Sequence, residues 1–302
     1  MVKLLGALLT VAAIAFVVRE IWQSDFSSWM LLSSWQGGSI LITVGVLYGM
    51  ALIAIFWAWT LLLGQGRQNA SFDNLVALYG RFQIYKYIPS NVIHQISRYA
   101  VLRKLGLSHK DIIWSSLAET GLIVLAAFLV SLAFGGLSLA SSLPISYLNA
   151  LFYLAICVAV LAALSGVFIP FVRAKLRSGF HFLYRRIRGI GFASFLYLSF
   201  FIATGLLLYW IVAETVLADA TVIPPVGIVI AANALAWVAG TITPGAPGGV
   251  GVRELVLIAS LTPFGLEGSA VAIAAQYRLA TMVGDLVFFL GTFSAARLVK
   301  AR

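Results

Sequence analysis

Charged residues are scarce in this sequence. Only 10% of its 302 residues are Asp, Glu, Lys or Arg, while 62% are hydrophobic, and the mean hydropathy is +1.02. No soluble domain of this length needs so much apolar surface. We therefore predict an all-α polytopic membrane protein, formed by a single transmembrane domain over residues 1–302.

Cysteine and histidine are also nearly missing. Cys157 is the single cysteine, which excludes a disulfide within the chain. The three histidines, His94, His109 and His181, are too scattered to form a metal site. The sequence contains no Gly-x-Ser-x-Gly, no His-Glu-x-x-His and no cysteine pair. We predict no metal and no cofactor, and an enzyme is the weaker hypothesis.

Acidic residues are outnumbered by basic ones, 10 against 20. In a soluble protein this excess would favour a nucleic-acid partner, but in a membrane protein Lys and Arg mark the cytoplasmic loops. The densest basic cluster lies in residues 173–188. Placing that loop in the cytoplasm puts both termini in the cytoplasm as well, and we predict no nucleic-acid partner.

Apolar runs long enough to cross a membrane divide the chain. About six of them approach or reach the spanning length of roughly 17–25 residues, at 4–18, 39–63, 111–134, 147–169, 192–217 and 270–296. Tryptophans in residues 25–35 indicate an interfacial helix.

Two further regions, 73–98 and 222–266, are partly apolar but interrupted by proline. Each is either a pair of spans or a re-entrant hairpin. Broken backbone at membrane depth is tolerated only inside a protein or beside a wet cavity. We therefore predict two broken, re-entrant helical hairpins within the bundle.

The two broken regions enter the membrane from opposite faces in this topology. Region 73–98 begins and ends on the cytoplasmic side, whereas region 222–266 begins and ends outside. Each lies between two spans, so that the chain has two similar halves, 39–134 and 192–296. This is the layout of an inverted repeat, in which discontinuous segments meet near the midplane and form a substrate site.

The second broken region contains the stretch Thr243–Glu254, which holds two prolines and four glycines. Gly248, Gly249 and Gly251 permit positive φ angles, so their N–H groups could form a concavity that binds an anion. Arg253 would lie in the first turn of the helix that follows. The alternative is a turn that serves packing alone.

The first broken region has a joint at Pro89–Asn91. The helix that starts there would present free N–H groups to an anion such as a lipid phosphate. His94 and Arg98 are four residues apart and share one face of that helix. Lys86 precedes the joint. The alternative is that Lys86 and Arg98 extend to the cytoplasmic interface.

Charged residues also occur in or next to the later spans. Glu119 and Asp285 lie within full spans, Arg278 begins the last span, and Glu254 follows Arg253. Charge inside a bilayer is costly and marks pathways or pairs. Direct contact with substrate and a cross-helix network of ion pairs are equally compatible with these positions.

Together, these motifs resemble the lysylphosphatidylglycerol synthase transmembrane-region family, flippase-like proteins related to the membrane half of the bacterial multiple peptide resistance factor. The resemblance covers nearly the whole chain, and Ser90 departs from it where a glycine is expected. It rests on Lys86-Tyr87-Ile88-Pro89, Arg98, Glu119, the run Pro247–Glu254 and Tyr277-Arg278.

The resemblance implies a protein of the bacterial or archaeal plasma membrane that moves an aminoacylated or otherwise modified lipid between leaflets. Best-known members carry a cytosolic synthase domain behind this unit, and a chain ending at Arg302 looks like the stand-alone form. The implied partners are membrane lipids, anionic or phosphate-containing, and a lipid-modifying enzyme.

The first functional hypothesis is therefore a lipid flippase-like transporter. Basic side chains would hold the lipid phosphate, while acidic ones would balance them or meet a cationic head group. The second hypothesis is a non-transporting partner that presents lipid to a membrane synthase or glycosyltransferase, and the third is an integral-membrane lipid transferase. The expected substrate-binding residues are Lys86, His94, Arg98, Glu119, Gly248, Gly249, Gly251, Arg253, Glu254, Arg278 and Asp285.

Overall fold

The computed structural model describes most of the two predicted halves of the protein. The described residues are 34–63, 70–86, 91–135, 187–219, 223–243, 247–266 and 268–300. The predicted spans 4–18 and 147–169 lie outside them, as do the joint at Pro89 and nearly all of the predicted interfacial helix.

The described residues form helices and no strand, which confirms the all-α prediction. In chain order the α-helices are α1 (Trp35–Leu63), α2 (Phe72–Tyr85), α3 (Asn91–Lys104), α4 (His109–Ala133), α5 (Ile187–Asp219), α6 (Val226–Ile242), α7 (Val252–Leu261) and α8 (Ala270–Lys300). Short 3-10 turns at Pro247–Gly249 and Thr262–Phe264 flank α7.

Among the residues that the structure describes, four helices are long and apolar enough to cross a membrane. These segments are Trp35–Leu63 in α1, His109–Ala133 in α4, Gly189–Val216 in α5 and Ala270–Ser294 in α8. They match four of the predicted spans. Helices α2 and α3 have 14 residues each and are about 21 Å long, which is too short for a hydrocarbon core of about 30 Å.

Helices α2 and α4 each have a serine at their N-cap. The Ser71 hydroxyl oxygen accepts the Asn74 N–H of α2 at 3.4 Å, and the Ser108 hydroxyl oxygen accepts the Asp111 N–H of α4 at 3.1 Å. Such caps satisfy backbone donors that have no partner within the helix. They mark where α2 and α4 start.

The order long, short, short, long occurs twice, in α1–α4 and again in α5–α8. Helices α1 and α5 take corresponding places and run antiparallel. The Tyr48 and Phe200 rings lie 6.0 Å apart, and further along α1 the carbonyl of Leu61 lies beside Gly189 at the start of α5. The opposite directions agree with the predicted inverted layout.

The two broken regions enter the bundle from opposite ends, as predicted. Helix α2 begins beside the C-terminal half of α1, where the Phe72 ring is 5.4 Å from the Trp57 ring. Helix α6 begins at the other end, where Gly227 lies against the backbone of Phe134 at the end of α4. The two hairpins therefore start at opposite ends of the bundle.

The last helix of each half packs against the other half. Helix α8 lies against α1 and α2, and α4 lies against α5 and α6. The contact between α1 and α8 is made by glycines: a β-carbon on Gly284 would stand 2.5 Å from the Gly45 carbonyl oxygen and 2.9 Å from the Gly49 backbone nitrogen. Small residues spaced four apart allow such close contact between membrane helices. The contact holds Asp285, the next residue of α8, inside the bundle.

We expect Gly284→Ala to destabilise the bundle by about 1–3 kcal/mol, because the added methyl group meets backbone atoms that have no room to move. Thermal unfolding in detergent micelles measures the loss. Gly291→Ala is the matched control on the same helix, since a β-carbon there meets no described atom within 4 Å. A Gly284→Ala variant that melts at or above the wild-type temperature would contradict this account of the contact.

Candidate functional site

A cavity of about 200 Å³ lies between the two hairpins. Aromatic and aliphatic side chains of α1, α2, α4, α5 and α6 form its apolar walls. Its polar lining consists of Gln83, Lys86, Arg98, Glu119, Thr120, Thr241 and Arg253.

The cavity brings the two hairpins together. Lys86 follows directly after α2 in the first hairpin, and Arg253 is the second residue of α7 in the second hairpin. Both side chains line the cavity. Two segments that are remote in sequence and enter from opposite ends therefore share one polar space.

Lys86 forms an ion pair with Asp285 of α8. Its Nζ lies 2.8 Å from each carboxylate oxygen and donates a further hydrogen bond to the Gln83 side-chain oxygen at 3.2 Å. The Asp285 side chain is 1% exposed, whereas that of Lys86 is 27% exposed. The lysine therefore faces the cavity, and the aspartate supports it from behind.

Arg98 of α3 pairs with Glu119 of α4, with 2.5 Å between guanidinium nitrogen and carboxylate oxygen. The guanidinium also lies over the Trp59 ring at 4.9 Å and near the Phe82 ring at 5.6 Å. Aromatic faces stabilise a desolvated cation. Arg98 is thus held on several sides, and its pair ties the first hairpin to a full span.

Glu254 and Arg278 organise the glycine turn before α7. The Arg278 Nε lies 3.5 Å from one Glu254 oxygen, and the other oxygen accepts the Gly251 N–H at 2.6 Å. Arg278 also donates to the Gly248 carbonyl oxygen at 3.2 Å. The Gly251 N–H, a predicted anion donor, is therefore already bound to a carboxylate of the chain.

The turn requires its glycines. The φ angles are +59° at Gly248, +72° at Gly249 and +84° at Gly251, a region that residues with a β-carbon rarely adopt. The turn thus supports packing and ion pairing.

Arg253 separates the cavity from a second, smaller one of about 30 Å³. Its guanidinium lies 5.6 Å from the Trp237 ring centre. Four side chains line both cavities, and we call them the partition: Tyr48, Phe200, Trp237 and Arg253.

The smaller cavity contains polar residues that are not among the expected substrate-binding residues. The Asn233 amide donates to the Thr204 hydroxyl at 3.0 Å, and the Tyr277 hydroxyl donates to the Thr204 carbonyl at 3.1 Å. Glu254 and Arg278 also line it. Asn233 could have been found from sequence, as a lone amide in an apolar helix; the partition residue Trp237 carries no such signal.

The structure distributes the expected site residues over three places. Lys86, Arg98, Glu119 and Arg253 line the larger cavity, with Asp285 behind Lys86, and Glu254 and Arg278 line the smaller one. The three glycines form the turn. The backbone of α3 places His94 one helical turn before Arg98, but the His94 side chain lies outside the described residues.

Charge around the two cavities is nearly balanced. The seven charged residues above comprise four basic side chains, Lys86, Arg98, Arg253 and Arg278, and three acidic ones, Glu119, Glu254 and Asp285. Their formal sum within the described residues is therefore +1. In the same part of the chain, no group of three or more His, Cys, Asp or Glu side chains is placed to hold a metal ion.

We expect Glu119→Gln and Arg98→Gln each to cost about 3–5 kcal/mol, because each leaves a buried charge without its partner. The double variant should lose clearly less than the sum of the two, since neither charge remains. Denaturant unfolding in micelles measures all three. Lys110→Gln, at the exposed start of α4, is the control and should change stability by at most about 0.5 kcal/mol. Additive losses would contradict the pairing.

Comparison with known proteins completes the description of the site. No match to the chain is found among curated proteins or among solved structures. Residues 3–288 match the family described as Lysylphosphatidylglycerol synthase TM region, and the matched range includes both hairpins and all seven charged residues of the two cavities. The chain is a membrane protein that belongs to the lysylphosphatidylglycerol synthase transmembrane-region family, which connects it with the handling of lipid.

Proposed function

We propose that the protein is a lipid flippase-like transporter that moves a phosphate-containing lipid, aminoacylated or glycosylated in some cases, between the two leaflets. The observation that carries this proposal is the polar cavity between two hairpins that enter an otherwise apolar bundle from opposite ends. A lipid head group needs such a space to cross the hydrocarbon core, while its tails stay in lipid.

The charges around the cavities suit a phosphodiester. A phosphodiester carries one negative charge, and the seven charged side chains sum to +1. Arginine binds phosphate oxygens with two parallel hydrogen bonds, and Arg253 lines both cavities. Glu119 and Asp285 would be the partners of a cationic substituent on the head group.

The two cavities would serve as compartments for opposite leaflets. The larger one lies in the half of the bundle that the first hairpin enters, and in the predicted topology this half is cytoplasmic. A head group would enter there, pass the partition and reach the smaller cavity. The present conformation would then be the inward-facing one, because the inner compartment is the larger.

Location and energy source complete the proposal. We propose the bacterial or archaeal plasma membrane, with both termini in the cytoplasm. The sequence contains no phosphate-binding loop of a nucleotide-dependent pump. A gradient, the membrane potential or removal of the product would therefore drive transport.

We expect Arg253→Ala to slow head-group translocation in proteoliposomes about tenfold or more, because a hydrogen bond to a charged group contributes about 1.5–3 kcal/mol. The assay follows labelled phosphatidylglycerol that becomes inaccessible to an external quencher. Arg253→Lys keeps the charge but loses the two-pronged geometry and should be intermediate. Arg81→Ala is the control, since Arg81 is exposed on α2 and lines neither cavity.

Four outcomes would argue against the proposal in different ways. Equal rates for wild type and Arg253→Ala would remove this residue from the pathway. A wild-type rate no higher than that of protein-free liposomes would exclude a flippase. Lipid binding and co-purification with a synthase or glycosyltransferase, without translocation, would favour the lipid-presenting partner; a new lipid product in mass spectrometry would favour a transferase.

A further inference from the structure

We propose that Gly240, on α6, is a positioning residue for Arg253: its missing side chain leaves a slot that holds the arginine in the partition between the two cavities. The role in transport rests on the proposed function. The slot itself rests on the packing around Gly240, which no motif of the sequence indicates.

The packing around Gly240 leaves no room for a side chain. A β-carbon built on Gly240 would lie 2.5 Å from Cγ, 2.8 Å from Nε and 3.2 Å from Cδ of Arg253. These three nearest atoms all belong to one side chain. Distances under 3.0 Å do not occur between packed carbon atoms, so Arg253 would have to leave its place if residue 240 were alanine.

Gly249 lies next to Gly240 and lines the same slot. A β-carbon there would lie 2.7 Å from the Arg253 Nε and 3.0 Å from the Gly240 Cα. The stem of Arg253 therefore packs against two glycines that lie side by side, with the Trp237 ring centre 5.6 Å from its guanidinium. Its place in the partition depends on both glycines having no side chain.

Gly240 is the informative member of this pair. Gly249 has a φ of +72°, so any side chain there would strain the turn whatever its neighbours. Gly240 lies within α6, where alanine is favoured over glycine by about 1 kcal/mol. Helix propensity alone would therefore disfavour glycine at 240, and space for Arg253 supplies a physical reason for its presence.

The expected consequence is specific to Arg253. Gly240→Ala keeps every charge of the cavities but pushes the guanidinium away from Trp237 and out of the partition. In a chain that already carries Arg253→Ala, the same substitution meets none of the three atoms that crowd it in the wild type. The effect of Gly240→Ala should thus depend entirely on the arginine.

A double-mutant cycle tests this dependence. Wild type, Gly240→Ala, Arg253→Ala and the double variant are compared in vesicles of phosphatidylethanolamine and phosphatidylglycerol, with labelled phosphatidylglycerol as the probe. We expect Gly240→Ala to be about as slow as Arg253→Ala, and the double variant to be no slower than either. Gly121→Ala is the control: it is also helical, a β-carbon there meets no described atom within 4 Å, and the rate should stay at the wild-type value.

Melting temperatures of the same four proteins supply a second readout that does not require transport. The double variant should melt above Arg253→Ala, because alanine then improves the helix without a clash, whereas Gly240→Ala alone should not melt above wild type. If Gly240→Ala alone fails to fold, a folded double variant leads to the same conclusion, since removal of the arginine relieves the overlap.

The outcomes that overturn the slot differ from those that overturn transport. A wild-type rate for Gly240→Ala, or the same loss in the presence and absence of the Arg253 side chain, would overturn the positioning role. A wild type without translocation would overturn the proposed function and the role in crossing with it. If, in that case, the changes in melting temperature caused by Gly240→Ala and Arg253→Ala simply added in the double variant, the slot would be overturned as well.

Discussion

The cost of placing charge in an apolar bundle governs the arrangement of this protein. Isolated ions in hydrocarbon are expensive, and removal of one member of a buried pair is more damaging than the pair is stabilising. In the described part of the chain, three ion pairs reduce this cost: Lys86 with Asp285, Arg98 with Glu119, and Arg278 with Glu254. Each joins one of the two hairpins to a helix long and apolar enough to cross the membrane. The pairs therefore hold the broken segments in place.

Pairing also shapes the interior that a ligand would meet. Most of the positive charge is already balanced by the chain, so an entering anion would compete with carboxylates. The excess of one positive charge would suit the single phosphodiester of the proposed substrate, and Arg253 lines both cavities. Aromatic rings reduce the cost of keeping guanidinium groups out of water. Trp59 and Phe82 lie beside Arg98, and Trp237 lies beside Arg253.

The sequence predicted the helices better than it predicted their contacts. Apolar length alone identifies α1, α4, α5 and α8, because a hydrocarbon core demands that length, and proline identifies the two hairpins. The sequence also identified the seven charged residues as candidates, but it did not predict their pairing. Lys86 and Asp285 are 199 positions apart, and several pairings were equally compatible with the sequence. The role of Gly240 could not be predicted from the sequence, because glycine is common in membrane helices. The proposed role of Gly240 depends on its contact with the Arg253 side chain of α7.

The exchange of final helices between the halves has a consequence for motion. Because α8 packs against α1 and α2, and α4 against α5 and α6, the two halves of the chain are interlocked. A rigid rotation of residues 39–134 against 192–296 would tear both of these contacts. Helix α1 also packs against α5, where the Tyr48 and Phe200 rings lie 6.0 Å apart, so the halves share a third contact. Any alternating access in this protein would then require helices to bend or to slide along these shared contacts, rather than one half of the chain to rotate as a rigid body.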